Sequence, residues 1–315
     1  MSAVPSRLDI CVVGSVNNDT SLRVTCIPAP GETLLATGKH VSTGGKGANQ
    51  AIAAAALGSK VALLGCVGDD LAGSAALTSL DAVGANVEGV LVRPGTRTGS
   101  AIVMVADDGE NVIVVDQGAN QHVDTAQVVS QLQRLRPSVV LAQLETNQDA
   151  VLAAAIGSGS ATFILNPAPM SNDLPLLAEI MQQTDIIVPN RSELARLAGL
   201  PQPTTLDEVD RCVAALDFRG CVIVTLGSEG VALYASGAGS RRLDIAPVCI
   251  DAVDTSGAGD AFCGALGHSL AAGQPLRDAV WRANGVAAWS TTLHGAQLAA
   301  GSVPHCLIRE GYDAR

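Results

Sequence analysis

Aromatic residues are scarce, 2% of 315 positions, and no basic cluster offsets a formal net charge of −11. Wrapping nucleic acid rewards clustered Lys and Arg together with stacking rings, so these two shortages exclude it. Long apolar runs are missing as well. The apolar stretches are broken by Gly, Ser or charge, and none approaches the ~20 residues of a membrane span. The opening run "SRLDICVVGS" ends in glycine, without the longer apolar region and small-residue cleavage site of an export signal, which predicts a soluble, cytoplasmic chain. Paired cysteine motifs are also lacking. The eight cysteines (Cys11, Cys26, Cys66, Cys212, Cys221, Cys249, Cys263 and Cys306) form no C-x-x-C pair, match no zinc-finger spacing, and read as reduced, small core residues.

What the chain does have is alternation. Short strand-like runs, "LDICVVG", "VALLGCVG", "SVVLAQLE", "TFILNPAP", "DIIVPN" and "CVIVTLG", are interleaved with Ala- and Leu-rich segments of helical length such as "ANQAIAAAAL". That pattern predicts an α/β fold with a mostly parallel central sheet covered by helices on both faces. Two stretches, about residues 20–42 and 98–116, instead alternate apolar with polar residues, and the second turns at "DDGEN". They predict a small sheet outside the main one with one wet face. No linker or internal repeat divides the chain, so a single domain over residues 1–315 is expected.

Ligands of such folds bind at the carboxyl ends of the strands, where loops enter helices. The polar residues gather there, in "VNNDT", "LETN", "PNRSE", "LGSEG" and, after "IDAV", "DTSGAGD". In the last of these, Gly257, Ala258 and Gly259 can form a nest of N–H groups at the start of a helix running from about Asp260 to Leu270. Such a nest suits a phosphoryl group gaining negative charge. Asp260 can accept a proton from an attacking hydroxyl there, or merely complement the helix dipole. A dinucleotide fingerprint, and with it a nicotinamide-dependent dehydrogenase, fails because Phe262 stands where glycine is required.

"STGGKGANQAIAAAALG" is a second glycine turn entering a helix, and Gly47 after Lys46 rules out a Walker A loop. Gly44, Gly45 and Gly47 can admit a ligand close to the backbone, with Lys46 and Asn49 as donors, or can serve a close helix–sheet contact. Asn17, Asp19 and Glu145, at strand ends, suit a polyhydroxylated ligand, although each alone also fits a turn or cap. Asn190 and Glu193 have the spacing of a capping box and, alternatively, that of hard oxygen ligands facing a magnesium–nucleotide through water. Thr225 to Gly230 form a strand-end turn able to pass close to a nucleotide.

The pair G-G-K-G-A-N-Q-A and D-T-S-G-A-G-D-A-F, in that order, with "NPAP", "PNRSE" and "TLGSEG" between them, resembles the two signatures of the ribokinase-like carbohydrate kinases over almost the whole chain. "NND", "QLE", "GENVI" and "GAQ" are most similar to the ribokinase branch. The resemblance implies ATP-dependent phosphorylation of D-ribose at its 5-hydroxyl, with sibling kinases for 2-deoxyribose, another sugar or a nucleoside, and a non-catalytic sugar sensor, as alternatives. It implies Asp260 as general base beside an anion hole of Gly257, Ala258 and Gly259. Asn17, Asp19, Gly45, Lys46, Asn49 and Glu145 would bind the sugar. Asn190, Thr225, Leu226, Gly227, Ser228, Glu229, Gly230, Gly259 and Asn284 would line the ATP site, and Glu193 would act on magnesium through water. Asp254, Ser256, Ser290, Leu293, Gly295 and Ser302 would hold an activating potassium ion. The wet-faced strands would form a lid that also makes a homodimer contact. One departure from the family pattern follows "GAQ", where Leu298 takes a usual proline position and "LAAG" precedes "SVP".

Overall fold

The computed structural model describes residues 8–108, 110–236, 240–298 and 301–304. Thirteen strands occur among them: β1 Ile10–Val13, β2 Asn17–Val24, β3 Gly38–Gly44, β4 Val61–Gly68, β5 Val90–Arg93, β6 Gly99–Ala106, β7 Asn111–Asp116, β8 Val139–Gln143, β9 Thr162–Asn166, β10 Ile186–Ile187, β11 Cys221–Thr225, β12 Val231–Tyr234 and β13 Leu243–Ile245. The helices are α1 Lys46–Ala56, α2 Leu71–Ala82, α3 Thr125–Leu135, α4 Gln148–Gly157, α5 Leu174–Gln182, α6 Arg191–Ala198, α7 Leu206–Ala215, α8 Ala258–Ala271 and α9 Leu276–Ser290.

Nine strands form the main sheet in the order β13-β12-β11-β10-β9-β8-β1-β4-β5, parallel throughout except for β12, which runs antiparallel to both β11 and β13 near one edge. Strand residues point alternately to opposite faces, so a central strand covered on both sides must be apolar at every position. β1 shows this directly. Ile10 and Val12 join Ile52 of α1, Phe262 and Leu266 of α8 and Val280 of α9 in one core. Cys11 and Val13 join Val128 of α3, Val151 of α4, Ile180 of α5 and Val213 of α7 in the other.

The small sheet has the order β3-β2-β6-β7 and is mixed, since β2 and β6 run parallel while the outer pairs are antiparallel. The β6–β7 hairpin closes at Asp107–Asp108, as "DDGEN" predicts. Expectation and structure part in four places. "VNNDT" is not a loop after β1, because Asn17 already opens β2 of the small sheet. "IDAV" is not a strand: the backbone N–H groups of Val253 and Asp254 both turn to the Thr291 carbonyl, at 2.7 and 3.0 Å, leaving no ladder. β7 has no buried face, for Val112, Ile113, Val114 and Val115 are all exposed. Finally, Cys26 and Cys249 are exposed rather than core, whereas Cys11, Cys66, Cys212, Cys221 and Cys263 are buried. Cys306 lies outside the described residues, as do Ala299 and Ala300 of the departing segment, while Leu298 is buried in the core of α8 and α9. No helix among the described residues is long and apolar enough to cross a membrane.

Candidate active site

Two helix starts meet at the carboxyl ends of the central strands. α8 begins where Gly257 takes φ 71°, a left-handed conformation in which a side chain is strained, and a Cβ there would meet the Ala296 carbonyl oxygen at 2.5 Å. The nest differs from expectation in one member. The Ala258 N–H donates to the Thr255 carbonyl at 3.3 Å, while those of Gly257, Gly259 and Asp260 bond to no other described residue. Three donors and the positive end of α8 therefore remain for an anion.

Asp260 is 6% exposed, yet both carboxylate oxygens are provided for: Oδ2 accepts from Asn49 Nδ2 and Oδ1 from Gln50 Nε2, each at 3.1 Å. Both donors come from the first turn of α1. Asn49 is fixed in turn by Gln297, whose Nε2 reaches Asn49 Oδ1 at 3.2 Å and the Thr43 carbonyl at 2.8 Å. Gly47 answers the question its motif raised. A Cβ at that position would meet the Gly14 carbonyl carbon at 2.5 Å and Ser15 N at 2.6 Å, so this glycine serves a close contact between α1 and the segment after β1.

Glu145, 6% exposed, follows β8 and clamps this turn. Its Oε2 accepts from Ser15 Oγ at 2.5 Å and from the Lys46 N–H at 3.0 Å. Asn17 Oδ1 accepts from Asn120 Nδ2 at 2.8 Å, tying β2 to the body of the fold. Asp19 is different in kind, since its Oδ1 is buried without a hydrogen-bond partner among the described residues. Desolvation, then the charges of Glu145 and Asp260, push its pKa from 3.8 up to about 7 against the Gly45 N–H and Lys46. Burial opposes the charge on Lys46, but Asp260, Glu145 and Glu193 outweigh it and raise the ammonium pKa. Lys46 thus stays cationic among four acids.

A cleft of about 610 Å³ opens beside these groups, with Lys46, Asp260 and Gly257–Gly259 at one end. Asn190 and Glu193 line it as the capping box of α6, with Glu193 Oε2 accepting from the Asn190 N–H and Oε1 from its Nδ2, both at 2.9 Å. Desolvation raises the Glu193 pKa against those bonds and Lys46. Thr225, Gly227, Ser228 and Gly230 line the cleft, as does Asn284, whose Nδ2 tethers the Ala246 carbonyl at 2.9 Å. Leu226 and Glu229 do not: Leu226 is buried behind the turn, and Glu229 pairs with Arg191 at 2.7 Å. Part of the lining is apolar, with Pro247, Val248 and Ile250 and, from α9, Ala287 and Ala288. Sequence reasoning missed this apolar lining, along with Ser15, Gln50 and Gln297.

The potassium candidates divide. Asp254 accepts from the Ser256 and Gly295 N–H groups, each at 2.9 Å. Burial alone would raise its pKa, but these bonds win and hold it below the ordinary value. Ser290 and Leu293 form the turn after α9, joined by a 3.1 Å backbone bond. Ser302 is set against α9, its carbonyl accepting from Trp289 Nε1 at 3.1 Å. No cluster of three or more His, Cys, Asp or Glu able to hold a metal occurs among the described residues.

Comparison with known proteins adds a family to this geometry. Residues 7–302 match the model of the pfkB family carbohydrate kinases. Ribokinase of Schizosaccharomyces pombe is 39% identical over 96% of this chain and 97% of its own length. A deoxyribokinase of Salmonella typhi is 34% identical over 92% of this chain and 94% of its own length. The structure of Arabidopsis thaliana ribokinase complexed with ribose and ATP superposes with a TM-score of 0.82 at 30% identity, covering 92% of this chain and 95% of that one. With the two signatures folded into one site and the match spanning nearly all of its length, the chain belongs to the pfkB family of carbohydrate kinases.

Proposed function

We propose that this sugar kinase transfers the terminal phosphoryl group of ATP to the 5-hydroxyl of D-ribose. The observation that carries the proposal is the pairing of Asp260 with open N–H groups at the start of the same helix. Phosphoryl transfer passes through a loose transition state with charge spread over the moving group, so alignment and electrostatic stabilisation do most of the work. In this reading the N–H groups of Gly257, Gly259 and Asp260 face the phosphoryl group. Asp260 takes the hydroxyl proton, its acidic charge directed at the attacking oxygen rather than at the phosphate. The partnerless Oδ1 of Asp19 awaits a sugar hydroxyl, with Asn17, Asn49, Lys46 and Glu145 around it. The apolar wall formed by Pro247, Val248 and Ile250 suits an adenine ring, and the Thr225–Gly230 turn suits the adjoining ribose and phosphates.

Magnesium commonly binds through one or two carboxylates, waters and substrate phosphates, and Glu193, a single carboxylate on the cleft wall, fits that role. There the ion would neutralise phosphate charge. For potassium, the oxygens of Asp254 and the carbonyls of the turn after α9 are a fitting hard donor set, and the ion would steady the loop before α8. The lid is β2, β3, β6 and β7, whose closure would exclude water that competes for the phosphoryl group. Its exposed Ile102 and Val114, cross-strand neighbours on one face, suit burial against the lid of a second copy. Sedimentation of the intact protein should therefore give a dimer, and Val114→Asp a monomer; a monomeric parent protein would remove the lid contact. The free, buried thiols of Cys11, Cys66, Cys212, Cys221 and Cys263 suit a reducing cytoplasm.

A panel of acceptors in an ADP-release assay, run in potassium and in sodium, tests the activity. Ribose should be the best acceptor, with a lower rate in sodium. Preference for 2-deoxyribose would favour the activity named for the Salmonella relative. Turnover of adenosine but not ribose would overturn the proposal, as would tight ribose binding with no ADP formed.

A further inference from the structure

Resting on the assignment of Asp260 as general base, we propose that Gln50 is a positioning residue that fixes the Asp260 carboxylate through a one-way chain of buried amides. Gln50 is 0% exposed and does not line the cleft. Its Oε1 accepts from Gln143 Nε2 at 2.7 Å. Its Nε2 donates to Asp260 Oδ1 at 3.1 Å and reaches Asn166 Oδ1 at 3.4 Å. Asn166 is itself oriented, since its Nδ2 donates to the Val188 carbonyl at 3.0 Å and so leaves an oxygen facing Gln50.

These partners permit Gln50 only one sense. Rotating its amide by half a turn would set Oε1 against the Asp260 carboxylate and the Asn166 oxygen, acceptor on acceptor. The chain ends at Gln143, whose Oε1 is buried with no partner among the described residues. Turning both amides over would only set Gln143 Nε2 in that partnerless place while presenting Gln50 Oε1 to the carboxylate. The network thus leaves an acceptor unpaired at its remote end and keeps an N–H on Asp260. Close packing makes the reach possible: a Cβ at Gly264 of α8 would meet the Gln50 carbonyl oxygen and Ala53 Cβ, both at 2.7 Å. Asn49 and Gln50, successive residues of α1, therefore straddle one carboxylate, one donor on each oxygen and both buried.

A double-mutant cycle in the full-length protein tests this. Gln50→Met keeps approximate volume and removes both amide functions. It should lower kcat by about 10²-fold, the order expected when a reacting group is misplaced. KM for ribose and for ATP should stay within about twofold, because on this proposal Gln50 acts through Asp260 and not on bound substrate. In an Asp260→Ala background the same substitution should cost nothing further, since a residue that acts through another is silent once that other is gone. Thermal midpoints and calorimetric ribose binding establish folding. Should Gln50→Met not fold, Gln143→Met, which removes the donor that anchors Gln50 Oε1, should lower kcat and again be silent without Asp260. An equal loss in both backgrounds, or an undiminished kcat, overturns the proposal. Wild-type turnover in Asp260→Ala would instead overturn the assignment of the base.

Discussion

Two aspartates of the proposed sugar site come from different parts of the molecule, and they are provided for in opposite ways. Asp260, on the rigid crossing of α1 and α8, has a donor on each oxygen before any substrate arrives. Asp19, on β2 of the small sheet proposed as a lid, has a buried oxygen with no partner among the described residues and a pKa pushed up to about 7. A proposed base has to be held in a fixed place through the reaction, and the body supplies that by hydrogen bonds that exist without ligand. A binding carboxylate on a lid gains most when its unmet acceptor is satisfied only by the ligand. The contrast separates preorganised chemistry from recognition left to be completed.

The largest effect that would break this division is at Asp260. Asp260→Asn keeps the shape but loses the proton acceptor, and should lower turnover by about 10²–10⁴-fold while ribose binding by calorimetry stays near the parent value. An unchanged rate would remove Asp260 from the mechanism and leave the α1–α8 amides as structural groups only.

Much of the division was legible in the sequence, but unevenly. β1, β4, β8, β9 and β11 announce themselves because strands buried on both faces must be apolar throughout. The helix starts at Lys46 and Ala258 are marked by glycines, and the α6 cap by "NRSE". What could not be read is partnership across the fold. Gln50 looks like any polar residue on an Ala-rich helix, and only the crossing with α8 aims it at Asp260. Likewise Gln297 reveals its part only when 248 residues of separation close to a 3.2 Å contact. Within "TLGSEG", composition could not show that Leu226 turns inward and Glu229 away to Arg191. The apolar wall of Pro247, Val248 and Ile250 was hidden because an apolar run reads as a strand until its backbone partners are known.

The smaller effects belong to Asp19, and their sign follows from its raised pKa. In the folded, ligand-free protein the group keeps its proton up to about pH 7, whereas an ordinary carboxyl in the unfolded chain loses it near 3.8. Its contribution to stability is therefore fully present below the unfolded value and is lost as pH rises through the folded one. Asp19→Asn abolishes that titration while keeping the shape. Compared with the variant, the parent protein without ligand should lose thermal stability progressively as pH rises from about 4 to about 7, between the unfolded and folded values, and level off above that. Ribose should reverse the ordering, because sugar hydroxyls donate to the carboxylate and favour its charged form. Parent affinity should climb with pH over the same span, with a proton released on binding, and above it Asp19→Asn should bind ribose roughly 10- to 100-fold more weakly, the equivalent of about 1.5–3 kcal/mol for hydrogen bonds to a charged group. Calorimetry in two buffers of different ionisation enthalpy reads the proton directly. A ribose affinity independent of pH, equal in parent and variant, would show that the lid carboxylate is no more open to ligand than Asp260 and would erase the contrast between the two regions.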